Sequence, residues 1–195
     1  MIARSTGYVR GQGARAKLSG HMKYIEHRSM GEHENRDDRR IFDAEHDVVS
    51  RREAVRDVMA HEDRGVAYHK FVLSPGLDEP VADWRAWTRE VMDDLSERQG
   101  KQLHWYAVHH NNTEHEHVHV VLAGRGENVE TGKSEQVRMV ASDYQYLRES
   151  GREHSEHAFY RDIGDHVAEF DRQESTEFVA PDRDRAMGRE DMFDR

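Results

Sequence analysis

Cysteine is missing from the whole chain. That excludes disulfides, a thiolate nucleophile and zinc or iron–sulfur sites built on cysteine. A metal ion would have to sit on histidine and carboxylate side chains. Long apolar runs are missing too. Nothing approaches the ~18 consecutive apolar residues that a membrane span needs. The stretch "MIARSTGYVRGQGARAK" has no apolar signal core, so a cytoplasmic protein without a membrane span is expected. A net positive charge is also lacking: the formal net charge is −10. Taken alone, this argues against a polyanion as partner. The charge is uneven, however. Residues 1–30 carry Arg4, Arg10, Arg15, Lys17, Lys23 and Arg28 against Glu26 alone, whereas residues 171–195 carry eight acids against five arginines. A docking polyanion responds to the local field more than to the sum.

The 195 residues are 35% hydrophobic and 35% charged. That is core material for about 150 residues of one domain. Residues 1–170 are read as that domain, and 171–195 as a polar, disordered tail without useful periodicity. "GYVRGQGARAK" reads as a short strand or arm. "AKLSGHMKYIEHRSM" reads as a helix, with Leu18, Met22 and Ile25 at i, i+4 and i+7. Residues 31–47 form a polar loop around Ile41 and Phe42, and 48–61 a helix. "VAYHKFVLSP" is a strand stopped by Pro75 and Gly76. "VADWRAWTREVMDDLSERQG" is the clearest helix, with Trp84, Trp87, Val91 and Leu95 on one face, Pro80 at its start and Gly100 at its end. "LHWYAVHH" and "HVHVVLAG" read as two strands of an antiparallel hairpin. Residues 125–135 read as a loop, 137–148 as a short strand or helix, and 153–170 as a helix. The fold class is α/β in the sense of an α+β sandwich: a central antiparallel sheet with helices packed on it.

The stretch "HHNNTEHEHVHVVLAG", residues 109–124, holds the densest chemistry. Side chains alternate along a strand, so His117 and His119 point to one face and Val118 and Val120 to the other. The valines face the core. The imidazoles project together, roughly 7 Å apart at Cβ, a separation that one metal ion can bridge. A third ligand from the neighbouring strand would complete a facial triad with open positions. The same run is also compatible with a pH-responsive surface or a metal-binding patch.

The pattern His117-Val118-His119 resembles that of the HUH endonucleases, named for two histidines flanking a hydrophobic residue. The likeness is strongest to relaxases of conjugative and mobilisable plasmids, of the VirD-like, MOB-P-related, TraI-like type. In these an aromatic–apolar strand leads to His-x-Asn/Asp-Thr, a short turn, and then His-x-His and an apolar strand. Here that run is Trp105 to Val108, His109, His110, Asn111, Asn112, Thr113, and then His117 to His119. Aligning Asn112-Thr113 with the family's Asn-Thr makes His110 the third ligand, with His109 as rival, since the two point to opposite faces. Glu116 stands where the family often has proline. "YHKFVLSP" and the tryptophan-rich helix resemble a second motif, whose serine, here Ser74, contacts DNA. "HMKYIEHR" resembles a first motif that carries the tyrosine nucleophile, here Tyr24, with Tyr8 as the upstream alternative. The likeness runs from about residue 14 to 165.

The resemblance implies strand-specific nicking and rejoining of single-stranded DNA at a plasmid origin of transfer, through a 5′-phosphotyrosine. It implies a divalent cation, Mn or Mg, on His110, His117 and His119, and accessory relaxosome proteins as partners. Arg15, Lys17, Lys23 and Arg28 would hold DNA phosphates near Tyr24. Rolling-circle replication initiators and single-strand transposases share the histidine pair but place their tyrosine downstream, which would point to Tyr144, Tyr146 or Tyr160. A non-catalytic DNA-binding module and a metal-storage protein are the readings from other classes.

Overall fold

The first strand, β1 (Ile2–Val9), is the part of the sheet that the sequence hides best. It is an edge strand, and only Ala3 of its side chains is fully buried, so no apolar alternation announces it. Sequence reading begins the strand at Gly7. The structure begins it at Ile2, with a bulge between Ser5 and Gly7, where Gly7 takes φ 125°. The computed structural model describes residues 1–27, 39–76, 79–111 and 116–155.

Five strands form one sheet. The order is β1, β2 (Tyr68–Ser74), β4 (His117–Asn128) and β3 (Lys101–His110), with β5 (Ser134–Gln136) also on β4. Every pairing is antiparallel. The expected α+β sandwich is therefore present. β3 and β4 form the expected hairpin, with His110 opposite His117 and Val108 opposite His119. The segment 125–135, expected as a loop, is a second hairpin. β4 runs on to Asn128 and β5 returns along it. The Asn128 side chain ties this turn by accepting from the backbone N–H groups of Glu130 and Thr131. Its polar sequence lacks the apolar alternation that marks a half-buried strand.

Helices cover both faces. α1 (Ala14–His27) and α2 (Arg51–Ala60) lie on one. Leu18, Met22 and Ile25 of α1 meet Val55 and Val58 of α2 over Tyr106, Val108 and Val121 of the sheet. α3 (Trp84–Gln99) covers the other face, where Trp87, Val91 and Leu95 pack on Val118, Val120 and Leu122. Local signals set the helix ends. Ser50 caps α2 by accepting from the Glu53 N–H. Asp83 caps α3, which starts beyond Pro80, and Gly100 closes it in the left-handed region at φ 62°.

A fourth helix, α4, occupies residues 141–155. The sequence suggests a strand or helix over 137–148 and a separate helix over 153–170; among the described residues one unbroken helix covers 141–155, so no break separates 148 from 153. It is stitched to α3 by Trp87 Nε1, which donates to the Gly151 carbonyl at 2.8 Å, and by Ser150 Oγ, which donates to Asp94 at 2.7 Å. Residues 156–170 and the tail 171–195 lie outside the described residues. Among the described residues no helix is long and apolar enough to cross a membrane.

Candidate metal centre

The site is built where the β3–β4 hairpin ends beneath α1. β3 delivers His110 and β4 delivers His117 and His119, all on the face that α1 covers. Strand alternation sends Val118 and Val120 into the opposite core, as the sequence predicts. The rings converge further than their backbone spacing suggests. Ring centroids are 4.6 Å apart for His110 and His119, 4.9 Å for His117 and His119, and 5.3 Å for His110 and His117. One candidate ligand atom from each lies within 4.8 Å of the others.

Two details test whether these residues fit a metal. His117 Nε2 and His119 Nε2 are 3.2 Å apart. Two ligands of one ion, each bonded at about 2.1 Å, can stand at that separation. His110 is fully buried, and its Nε2 is 2.6 Å from the carbonyl oxygen of Ile25. A carbonyl only accepts, so Nε2 carries the proton and Nδ1 keeps the lone pair. A ring N–H donated to a backbone carbonyl is what orients ligating histidines in metal sites generally. The donor set fits a divalent cation, and neutral imidazoles leave the ion's charge uncancelled.

His109 does not compete. It points to the opposite face, stacked on Trp84 with centroids 4.3 Å apart, and its Nε2 faces Glu116 at 3.5 Å. The structure thus separates the two adjacent histidines that the sequence alone leaves as rivals.

Ser74 sits at the end of β2, buried, and its Oγ donates to the Glu116 carbonyl at 2.7 Å. The hydroxyl latches the backbone immediately before His117. Its role in this structure is to hold the entry to β4.

Tyr24 lies on α1, next to Ile25, with its side chain 53% exposed. Helical geometry places Lys17, His21 and Tyr24 along one flank. His21 meets His119 edge-on, with centroids 6.5 Å apart. Burial and the nearby Lys70 charge lower its pKa to about 4, so His21 is neutral near pH 7. Sequence reading passes over both His21 and Lys70. The signals were present: helical spacing from Tyr24 for one, and strand alternation with Val72, opposite His119, for the other.

The expected ring of cations divides. Lys17 shares the Tyr24 flank and Lys23 projects to solvent. Arg15 does not share that flank: it lines a cleft toward α2 together with Ser19, Glu26 and Arg51, and Glu26 pairs with Arg51 at 2.9 Å. Side chains about 160° apart around a helix cannot serve one phosphate, which is why Arg15 leaves the set. Arg28 lies outside the described residues. Tyr8 also stands apart. It lines a cavity with His69 and Tyr144, and Arg10 lies 4.6 Å over its ring.

No protein-family model matches the chain, and no curated protein matches it.

Proposed function

We propose that this protein nicks and rejoins single-stranded DNA at an origin of transfer, with Tyr24 as nucleophile. The observation that carries this reading is the docking of the Tyr24 helix on the histidine cluster. His110, a member of the cluster, is hydrogen-bonded to Ile25, the residue next to Tyr24. A tyrosine hydroxyl and a three-histidine centre offer a nucleophile and a cation site, the two parts that the proposed transfer uses.

His110, His117 and His119 would hold the divalent cation, Mn or Mg. When bound, it would supply Lewis-acid stabilisation of charge on the non-bridging phosphate oxygens. The chain's own groups do the rest. The Tyr24 oxygen attacks phosphorus and loses its proton. The bond from phosphorus to the 3′ oxygen breaks, and that oxygen gains a proton. A 5′-phosphotyrosine and a 3′-hydroxyl result. A phenol has a pKa near 10, so the phenolate leaves readily when the 3′-hydroxyl attacks in return. One phosphodiester is exchanged for another, and no nucleotide triphosphate is consumed. Lys17 and Lys70 flank the cluster and suit DNA phosphates; Lys23 suits the outer strand. Accessory proteins of a relaxosome would supply the loading that a −10 chain lacks.

The downstream-tyrosine alternative finds less support. Tyr144 packs edge-on against Phe71 at 6.1 Å, in the core of the other face. Tyr146, on the same helix, lies under the Arg98 guanidinium at 4.7 Å. Tyr160 is outside the described residues.

The test is incubation of purified protein, with Mn, on a labelled pool of single-stranded oligonucleotides and on supercoiled plasmid from the native host. The expected result is a covalent adduct mapped to Tyr24, absent in Tyr24→Phe. An adduct on Tyr144, Tyr146 or Tyr160 would move the protein to the replication-initiator or transposase class. DNA binding without cleavage by either protein would leave a binding module.

A further inference from the structure

A second group of histidines and carboxylates lies toward the other end of β3 and β4, and the proposed reaction does not use it. Asp57 and His61 stand four residues apart at the C-terminal end of α2. His104 comes from β3, at an irregularity in register between Leu103 and Trp105. Such a bulge re-aims a side chain, and here it directs His104 toward α2. Glu127 comes from the end of β4. At about 3.3 Å per residue, His104 is roughly 20 Å along β3 from His110.

The arrangement is ordered. The rings of His61 and His104 are parallel to within 9°, with centroids 3.5 Å apart. Both Nδ1 edges face Asp57. His61 Nδ1 is 3.0 Å from the Asp57 carbonyl oxygen, and His104 Nδ1 is 3.5 Å from Asp57 Oδ2. Both Nε2 edges face Glu127, at 3.6 Å from His61 and 2.7 Å from His104. The Asp57 carbonyl can only accept, so Nδ1 of His61 is protonated and the lone pair is on Nε2, toward Glu127; His104 Nε2 donates to the Glu127 carboxylate, and a bound cation would take the place of that proton. Asp57 Oδ2 also accepts from the Tyr106 hydroxyl at 3.0 Å, which fixes the carboxylate in turn.

We propose that His61 Nε2, His104 Nε2 and the Glu127 carboxylate form a second divalent-cation site, suited to zinc, with Asp57 orienting both rings from behind. Two imidazoles and one carboxylate are a zinc ligand set. A carboxylate behind a ligating histidine is the usual outer partner. The four side chains are partly exposed, so an ion can enter from solvent. An ion there would clamp the end of α2 to β3 and β4. The site is independent of the histidine cluster under α1.

The test counts zinc ions and measures affinity by calorimetry. It compares wild type, His117→Ala/His119→Ala and His61→Ala, with circular dichroism as the check on folding. The His117→Ala/His119→Ala protein should keep one zinc per chain and melt at a higher temperature when zinc is added. Adding Glu127→Gln should weaken that zinc by more than the ~10–100-fold that loss of an outer partner costs. In the wild-type background, His61→Ala should lower the count by one. Native-folded His117→Ala/His119→Ala that takes up no zinc would overturn the proposal. If that double variant does not fold, a wild-type count that His61→Ala leaves unchanged overturns it. A wild-type protein that binds a single zinc, kept in His117→Ala/His119→Ala and lost in His61→Ala, would count against a metal at the α1 cluster and leave this site standing.

Discussion

The Nε2 atom of His110, at the end of β3, donates to the backbone carbonyl of Ile25 in α1 at 2.6 Å. One hydrogen bond therefore sets the tautomer of His110 and anchors α1 beside Tyr24. His110→Ala leaves a buried carbonyl without its donor, which costs about 1–3 kcal/mol. His117→Ala, at a half-buried position, should cost less. Urea denaturation of both variants checks the order. Equal midpoints would mean that His110 acts only as a ligand.

His109 should behave as a packing residue. His109→Ala loses the stack on Trp84, worth about 0.5–1.5 kcal/mol. Its Mn affinity should match wild type, whereas His119→Ala loses binding. Calorimetric titration of the two variants separates the roles, and parallel losses would put His109 back among the ligands.

Ser74→Ala removes the latch to the Glu116 carbonyl. The expected cost is about 1 kcal/mol in stability. Metal affinity should fall while the number of bound ions stays the same, because the ligands remain and only the entry to β4 loosens. Affinity and stoichiometry read from the same titration decide this. A serine that only contacts DNA would leave metal affinity unmoved.

His69 gives a pH dependence with a definite sign. It is buried behind β2. Burial lowers its pKa from the ordinary 6.5, against the opposing effect of its hydrogen bond to the Val137 carbonyl at 3.2 Å. The unfolded chain therefore takes up a proton that the folded chain resists. This contribution to stability is complete above about pH 6.5 and is lost as pH falls toward the lowered folded value. His69→Leu should flatten the drop in urea midpoint between pH 7.5 and pH 5.5. An unchanged slope would place the titration elsewhere.

Much of this architecture is legible in the chain. The helix of Trp87, Val91 and Leu95 and the alternation of Val118 and Val120 with His117 and His119 follow from local steric periods. The caps at Ser50 and Asp83 are equally local. β1 and β5 are not legible, because strands with few buried side chains carry little apolar alternation. A helix across 141–155 was obscured by a segment without a strong signal at its start.

The candidate site divides along the same line. Sequence by itself determined that His117 and His119 share a face, because alternation is a property of each strand, and that cysteine chemistry is absent. Tertiary structure alone decided the rest. It brought Ile25 to His110 across 85 residues and turned His109 to Trp84. It joined Asp57 and His61 to His104 and Glu127. These contacts join residues far apart in sequence. They depend on how α1 and α2 pack on the sheet, which no local period encodes.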